Sequence, residues 1–192
     1  MLRKIAATLA IVGVLAAFGT FGALSVFTST AEVPDNAFTT GTVEISTSSD
    51  DIALITYSGM TPGDKVTEPL TVSNDGSLAL RYAVTSLATD DGKGLRDQLL
   101  FTIKTIDVTT PLTPCDDFDG TQLYTGVLGG NPAINVIGDP AQHAQAGDRP
   151  LAASANEVLC FKVELPSDTD DDYQGATTTA TFTFDAEQTA NN

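Results

Sequence analysis

The side chains able to do chemistry are few and widely spaced. The single histidine, His143, stands in the polar stretch "DPAQHAQAGD", with no HExxH around it and no second histidine to join it on zinc. Cys115 and Cys160 belong to no CxxC pair and to no Cys/His cluster. Neither zinc binding nor a Cys–His nucleophile is indicated by such spacing. No GxSxG marks a serine hydrolase, and Gly126, Gly129 and Gly130 lack the spacing of a phosphate loop. What remains is carboxylate. In "CDDFDGTQLYTG", placing Gly120 sixth in a calcium loop puts Asp117 and Asp119 third and fifth. Cys115 then falls first and Gly126 last, where charged oxygen donors are needed. "DTDDD" at 168–172 has the acids without the glycine that turns such a loop. Both runs read as solvated acidic loops, with a weak calcium site at Asp117 or Asp170 as the alternative. No other cofactor and no catalysis are expected.

The charge balance narrows the partners. Nine basic residues against 25 acidic ones leave a net charge of −16. That surface repels nucleic acid and anionic lipid alike. Disorder is the other reading of high charge, but 42% of the chain is apolar and alternates with polar residues in several runs. A length of 192 residues suits one domain with a sizeable core.

The N-terminus reads as a leader. Arg3 and Lys4 precede an apolar run from Ile5 to Phe18, and the small residues Gly19, Gly22, Ala23 and Ser25 follow. Ala23 and Ser25 suit the positions three and one before a signal-peptidase cut. The expected organisation is therefore a helical signal peptide, 1–25, cleaved between Ser25 and Val26, and a single domain, 26–192. A retained anchor is the competing reading, because counting on to Phe27 brings the run to about 20 residues, enough to span a bilayer. Export makes a Cys115–Cys160 disulfide the favoured pairing over a reduced buried pair. Closing that loop adds about 4 kcal/mol in the chain-entropy model.

Past residue 37 the pattern is β. "TVEISTS" alternates Val43 and Ile45 with polar residues, and "IALITYS" is a second run. In "PLTVSNDGSLALRYAVTSL", Leu70 and Val72 precede the turn residues Asn74, Asp75 and Gly76. Leu78, Leu80, Tyr82 and Val84 then alternate with Ala79, Arg81 and Ala83, which predicts a hairpin. "LLFTIKTIDV", "EVLCFKVELP" and "TATFTFDAE" add three strands. Phe101, Ile103, Cys160 or Phe161, Phe182 and Phe184 are their candidate inward residues. A short helix fits 95–100, and "TPGD" and "LPSD" read as turns. The fold class expected is all-β, an antiparallel sandwich of jelly-roll or immunoglobulin-like form. Residues 109–157, rich in Pro, Gly, Asn and Asp, read as a loop-rich insertion closed by the disulfide.

Several of these stretches carry a resemblance. "VFTSTAEVPDNAFTTGTVEIS" resembles the signature that follows the leader in the TasA/camelysin family of exported bacterial proteins. The family's Phe-Ser-Asp-Thr-type tetrad corresponds to Phe27, Thr28, Ser29 and Thr30, with Thr28-Ser29 standing where Ser-Asp is usual. Its Asn-x-Phe-x-x-Gly-Thr-hydrophobic motif corresponds to Asn36, Phe38, Gly41, Thr42 and Val43. "MTPGDKVTEPLTVSNDGSLALRYAV" is similar to the family's Pro-Gly-Asp turn and the Asn-x-Gly-Ser hairpin after it. "RPLAASANEVLCFKVELP" and "TATFTFDAEQTANN" are similar to late segments of its actinobacterial-type members.

The resemblance implies a jelly-roll-like sandwich, removal of the leader by a dedicated signal peptidase, secretion, and assembly into extracellular fibres of a biofilm matrix. The membrane enters only through an uncleaved leader. Some members have been classed as casein-cleaving metallopeptidases, which one histidine supports poorly, since a hydrolytic zinc needs about three protein ligands. The expected assembly strand is the stretch carrying Val26, Phe27, Phe38 and Val43. Once freed by cleavage, it would add to the open sheet edge of a neighbouring copy. The alternative is that it pairs at home as an ordinary first strand, which would leave a monomeric cell-surface binding module of unknown ligand.

Overall fold

The computed structural model describes residues 39–49 and 53–190. Apart from Thr39, they belong to the compact unit Thr40–Asn192. Nine strands are described: β1 (Ile45–Thr47), β2 (Lys65–Asn74), β3 (Leu80–Ala88), β4 (Leu100–Thr105), β5 (Gln122–Gly126), β6 (Ile134–Ile137), β7 (Arg149–Leu151), β8 (Asn156–Glu164) and β9 (Ala180–Gln188). One sheet has the order β1-β2-β8-β4-β5. The other centres on β3, flanked by β9 on one side and, end to end, by β6 and β7 on the other. Every pairing is antiparallel. The all-β sandwich read from the alternation is the fold.

Alternation decides which side chains enter the core, because successive residues of a strand face opposite ways. Leu70 and Val72 of β2, Leu159 and Phe161 of β8 and Phe101 and Ile103 of β4 come from one sheet. Leu80, Tyr82 and Val84 of β3 meet them from the other. The half-buried rings of β9 close this core. Phe182 stacks on Phe101 at 5.1 Å and meets Phe161 edge-on at 5.3 Å, and Phe184 lies 6.0 Å from Tyr82. Burying such rings adds to the stabilisation that the aliphatic side chains of the core supply.

One polar bridge crosses between the sheets. The Tyr82 hydroxyl donates to Glu157 Oε1 at 2.6 Å, and the Arg149 guanidinium donates to both oxygens of the same carboxylate. Burial, and then the bond to Glu157, push the Tyr82 hydroxyl far above its ordinary pKa. The bonds to Glu157 likewise raise Arg149. Both groups keep their protons at any physiological pH.

Three expectations are corrected or refined. The predicted hairpin at 70–84 does not form: β2 pairs with β1 and β8, whereas β3 pairs with β6, β7 and β9. The turn instead carries the chain from one sheet to the other. Asn74, buried at its start, sends its side-chain amide to the carbonyls of Leu78 (2.8 Å) and Ala152 (3.0 Å) and accepts from Gly76 N–H. Those bonds replace the ladder that a hairpin would have made. The run 53–58 holds no strand, although Leu54 and Ile55 still pack against the core. Residues 109–157 supply β5, β6 and β7 and so complete both sheets. The helix expected at 95–100 is present as Leu95–Gln98.

Candidate assembly site

The chain enters the described domain at a clasp between two of the segments singled out in the sequence. Thr42 N–H donates to Ser77 Oγ at 2.9 Å, and Ser77 N–H returns a bond to Thr42 Oγ1 at 3.2 Å. Leu78 N–H reaches Thr42 O at 3.1 Å, and Asp75 N–H reaches Glu44 O at 3.0 Å. Ser46 Oγ donates to Asp75 Oδ2. The segment 42–46 thus lies on the turn 74–78 before becoming β1 at the edge of its sheet.

Two glycines permit the approach. A Cβ on Gly76 would sit 2.5 Å from Thr42 O and 2.8 Å from Glu44 N. A Cβ on Gly41 would sit 2.5 Å from the Leu78 side chain. The Gly-Thr-hydrophobic and Asn-x-Gly-Ser motifs are two halves of one contact, and each needs its glycine for space.

Of the residues expected in the assembly strand, Val43 falls within this clasp. It stands between Thr42 and Glu44, whose backbones bond to the turn, and keeps 40% of its own surface exposed. Val26, Phe27 and Phe38 lie outside the described residues, as does the cleavage pair Ser25 and Val26. No helix among the described residues is long and apolar enough to cross a membrane.

Cys115 and Cys160 are bridged, with their Cα atoms 5.4 Å apart. Phe161 is the inward residue of that pair in β8, and Cys160 faces out, buried beneath the loop that the disulfide holds down. On the same outer face the Phe118 ring meets two ammonium groups, Lys104 at 4.7 Å and Lys162 at 4.8 Å from its centroid. Lys104 also donates to the Phe118 carbonyl at 2.7 Å. Cation–π contacts and a covalent tie fasten the loop to the sheet together.

The acidic loops use their carboxylates on themselves. Asp119 accepts from Thr109 Oγ1 at 2.6 Å and from Val108 N–H at 2.6 Å, which hold its carboxyl below the usual range. Asp117 accepts from the hydroxyls of Thr109 and Thr110. Asp107, which sequence reasoning did not single out, is 1% exposed and accepts from Asp117 N–H at 2.9 Å. Asp170 caps the single-turn helix Asp171–Tyr173 by accepting from Asp172 N–H. Among the described residues no three His, Cys, Asp or Glu side chains converge as a metal site would require. His143 sits on an exposed loop, and its backbone N–H donates to Glu187.

Residues 1–94 match the model of the camelysin metallo-endopeptidase family. Over these residues, just under half of its length, the chain is similar to the TasA/camelysin family. The match takes in both halves of the clasp, so the camelysin-family motifs at Gly41–Val43 and Asn74–Ser77 have a physical account: they hold one another. No curated protein matches the chain. Among solved structures, the ASH / PapD-like domain of human CEP192 (PapD-like domain 7) is similar at 14% identity. That match covers 87% of this chain and 99% of that one, with a TM-score of 0.28. A likeness of that size says nothing about function. The description metallo-endopeptidase implies a catalytic metal, and the described residues do not fit one: His143, the sole histidine, belongs to no group of three or more His, Cys, Asp or Glu side chains such as a hydrolytic zinc needs.

Proposed function

We propose that this protein is an exported structural subunit that assembles into extracellular fibres through residues 26–38, and that it is not a peptidase. The observation that supports this most is the clasp. The family signature spends Gly41 and Thr42 on fixing the chain where the arm joins the sandwich. An arm so fixed, carrying only Glu32 and Asp35 as charges in an otherwise acidic chain, suits strand addition to a neighbour better than it suits catalysis. The disulfide supports export, since such bonds persist in oxidising compartments.

Negative-stain microscopy of leader-free protein across salt and pH tests the reading. Fibres are expected, forming faster at high salt or as pH falls towards the isoelectric point near 4.1. Deleting residues 26–36 abolishes them while leaving a folded domain. Phe38→Asp weakens them, because burying an unpaired carboxylate costs several kcal/mol. Monomers under every condition overturn the proposal. The second reading, a metallo-endopeptidase, rests on the family's description alone. Cleavage of casein that needs zinc and is lost in His143→Ala would establish it.

A further inference from the structure

We propose that the outward edge of β9 between Ala180 and Ala186 pairs with the same edge of a second copy, joining two sandwiches about a dyad at Thr183. This contact is separate from the arm. Sheet edges normally carry protection against pairing with other chains: shortness, bulges, proline or lysine. In this molecule β1 and β7 have three residues each, and β7 contains Pro150. The pairings of β5 and β6 are each interrupted by a register shift. β2 carries Pro69. β9 has none of these. It runs nine residues, Ala180–Gln188, in unbroken register with β3, and from Ala180 to Ala186 its only charge is Asp185.

The backbone geometry says which groups are free. Thr89 N–H bonds to Thr179 O, and Thr189 N–H bonds to Ala79 O. Hydrogen-bonded pairs alternate along an antiparallel ladder, so Thr181, Thr183 and Asp185 turn their backbone groups towards β3. Ala180, Phe182, Phe184 and Ala186 turn theirs away from it, and no described residue bonds to them. Two such edges are self-complementary when they run antiparallel with Thr183 opposite Thr183. Phe182 then bonds to Phe184 of the second copy, and Ala180 to Ala186. The half-buried rings of Phe182 and Phe184, already at the flank of the core, meet their counterparts on the inner face. On the outer face each Asp185 meets a Thr181 hydroxyl, so no like charges stand opposite. A register centred on Asp185 would oppose the two carboxylates, which selects against it.

The test uses the full chain with one added thiol, since both native cysteines are bridged among the described residues. Across a non-hydrogen-bonded pair the Cα atoms lie about 4.5 Å apart, within disulfide reach. Thr183→Cys is expected to give a covalent dimer on mild oxidation, much faster than Leu112→Cys, a control at a residue 97% exposed. Thr181→Cys mixed with Asp185→Cys gives the cross-linked heterodimer, and neither cross-links readily alone. Ala186→Pro removes only an N–H that points away from β3 and weakens dimerisation in sedimentation by about tenfold or more. Thr183→Cys that cross-links no faster than the control, with monomers throughout sedimentation, overturns the proposal. So does a cross-link that disappears when residues 26–38 are deleted, because the approach of the two β9 strands would then depend on assembly through the arm. Loss of fibres on that deletion with the cross-link retained supports both contacts independently.

Discussion

Replacing Gly76 with alanine tests whether close approach is what holds the start of the domain. Gly76 is buried, and the added methyl would arrive 2.5 Å from Thr42 O, 2.8 Å from Glu44 N and 3.1 Å from Thr42 C. All three are backbone atoms, so no side chain can rotate out of the way, and the segment 42–44 must lift. Four hydrogen bonds depend on that segment: those between Thr42 and Ser77 in each direction, Leu78 N–H to Thr42 O, and Asp75 N–H to Glu44 O. At about 0.5–1.5 kcal/mol each, losing two or three costs about 1–4 kcal/mol. The lower entropy of the unfolded alanine chain offsets about 0.4–1 kcal/mol of this. The net is about 1–3 kcal/mol, placed at the chain's entry and not in the core. Hydrogen exchange read by mass spectrometry should therefore show amides of 42–48 losing protection by roughly tenfold to a hundredfold. β3, β4 and β8 should keep theirs. Ser77→Ala, which removes bonds without adding bulk, should lie between. Unchanged protection at 42–48 in Gly76→Ala would refute the reasoning, since the methyl cannot be accommodated without moving the strand.

Three further outcomes follow from the packing. Glu157→Ala strands both the Tyr82 hydroxyl and the Arg149 guanidinium, so it should cost about 2–4 kcal/mol in urea unfolding against about 1 kcal/mol for Tyr82→Phe; equal costs would show that the bridge does not act as a unit. Replacing both Cys115 and Cys160 with serine should lower stability by about 2–4 kcal/mol and expose the Phe118 loop to protease first, whereas unchanged cleavage there would mean that Lys104 and Lys162 hold the loop alone. Asp90 and Asp91 are held below the usual carboxylate range by backbone N–H donors, chiefly Gly94 for Asp90 and Thr177 for Asp91, and Asp119 chiefly by the Thr109 hydroxyl. Because these folded-state values are depressed, the stabilisation is present above the ordinary value near 4 and lost as pH falls through the lower folded values. Hydrogen exchange at the loops 90–94 and 107–119 should therefore quicken relative to that of β3, β4 and β8 as pH falls below about 4, and Asp91→Asn should remove this relative change at its own loop.

The chain's own order was enough to determine the fold class, the strands with strong alternation, and the disulfide. Alternation is a local property: Phe101, Ile103, Leu80, Tyr82 and Val84 face inward because a strand places every second side chain on one side. Absence of a second histidine is equally local, and it told against a zinc hydrolase before any folding was considered. The division of strands between sheets was not legible, because it depends on partners remote in sequence. β2 and β3 look like a hairpin until β8 claims one and β9 the other, each about a hundred residues away along the chain. Which of Cys160 and Phe161 faces the core also awaited the pairing, since a shift of one residue exchanges the two faces. Most of all, nothing in the order of residues placed Gly41–Val43 on Asn74–Ser77. Two short motifs became one clasp only when the tertiary fold brought two backbones to a separation that a single methyl group would prevent.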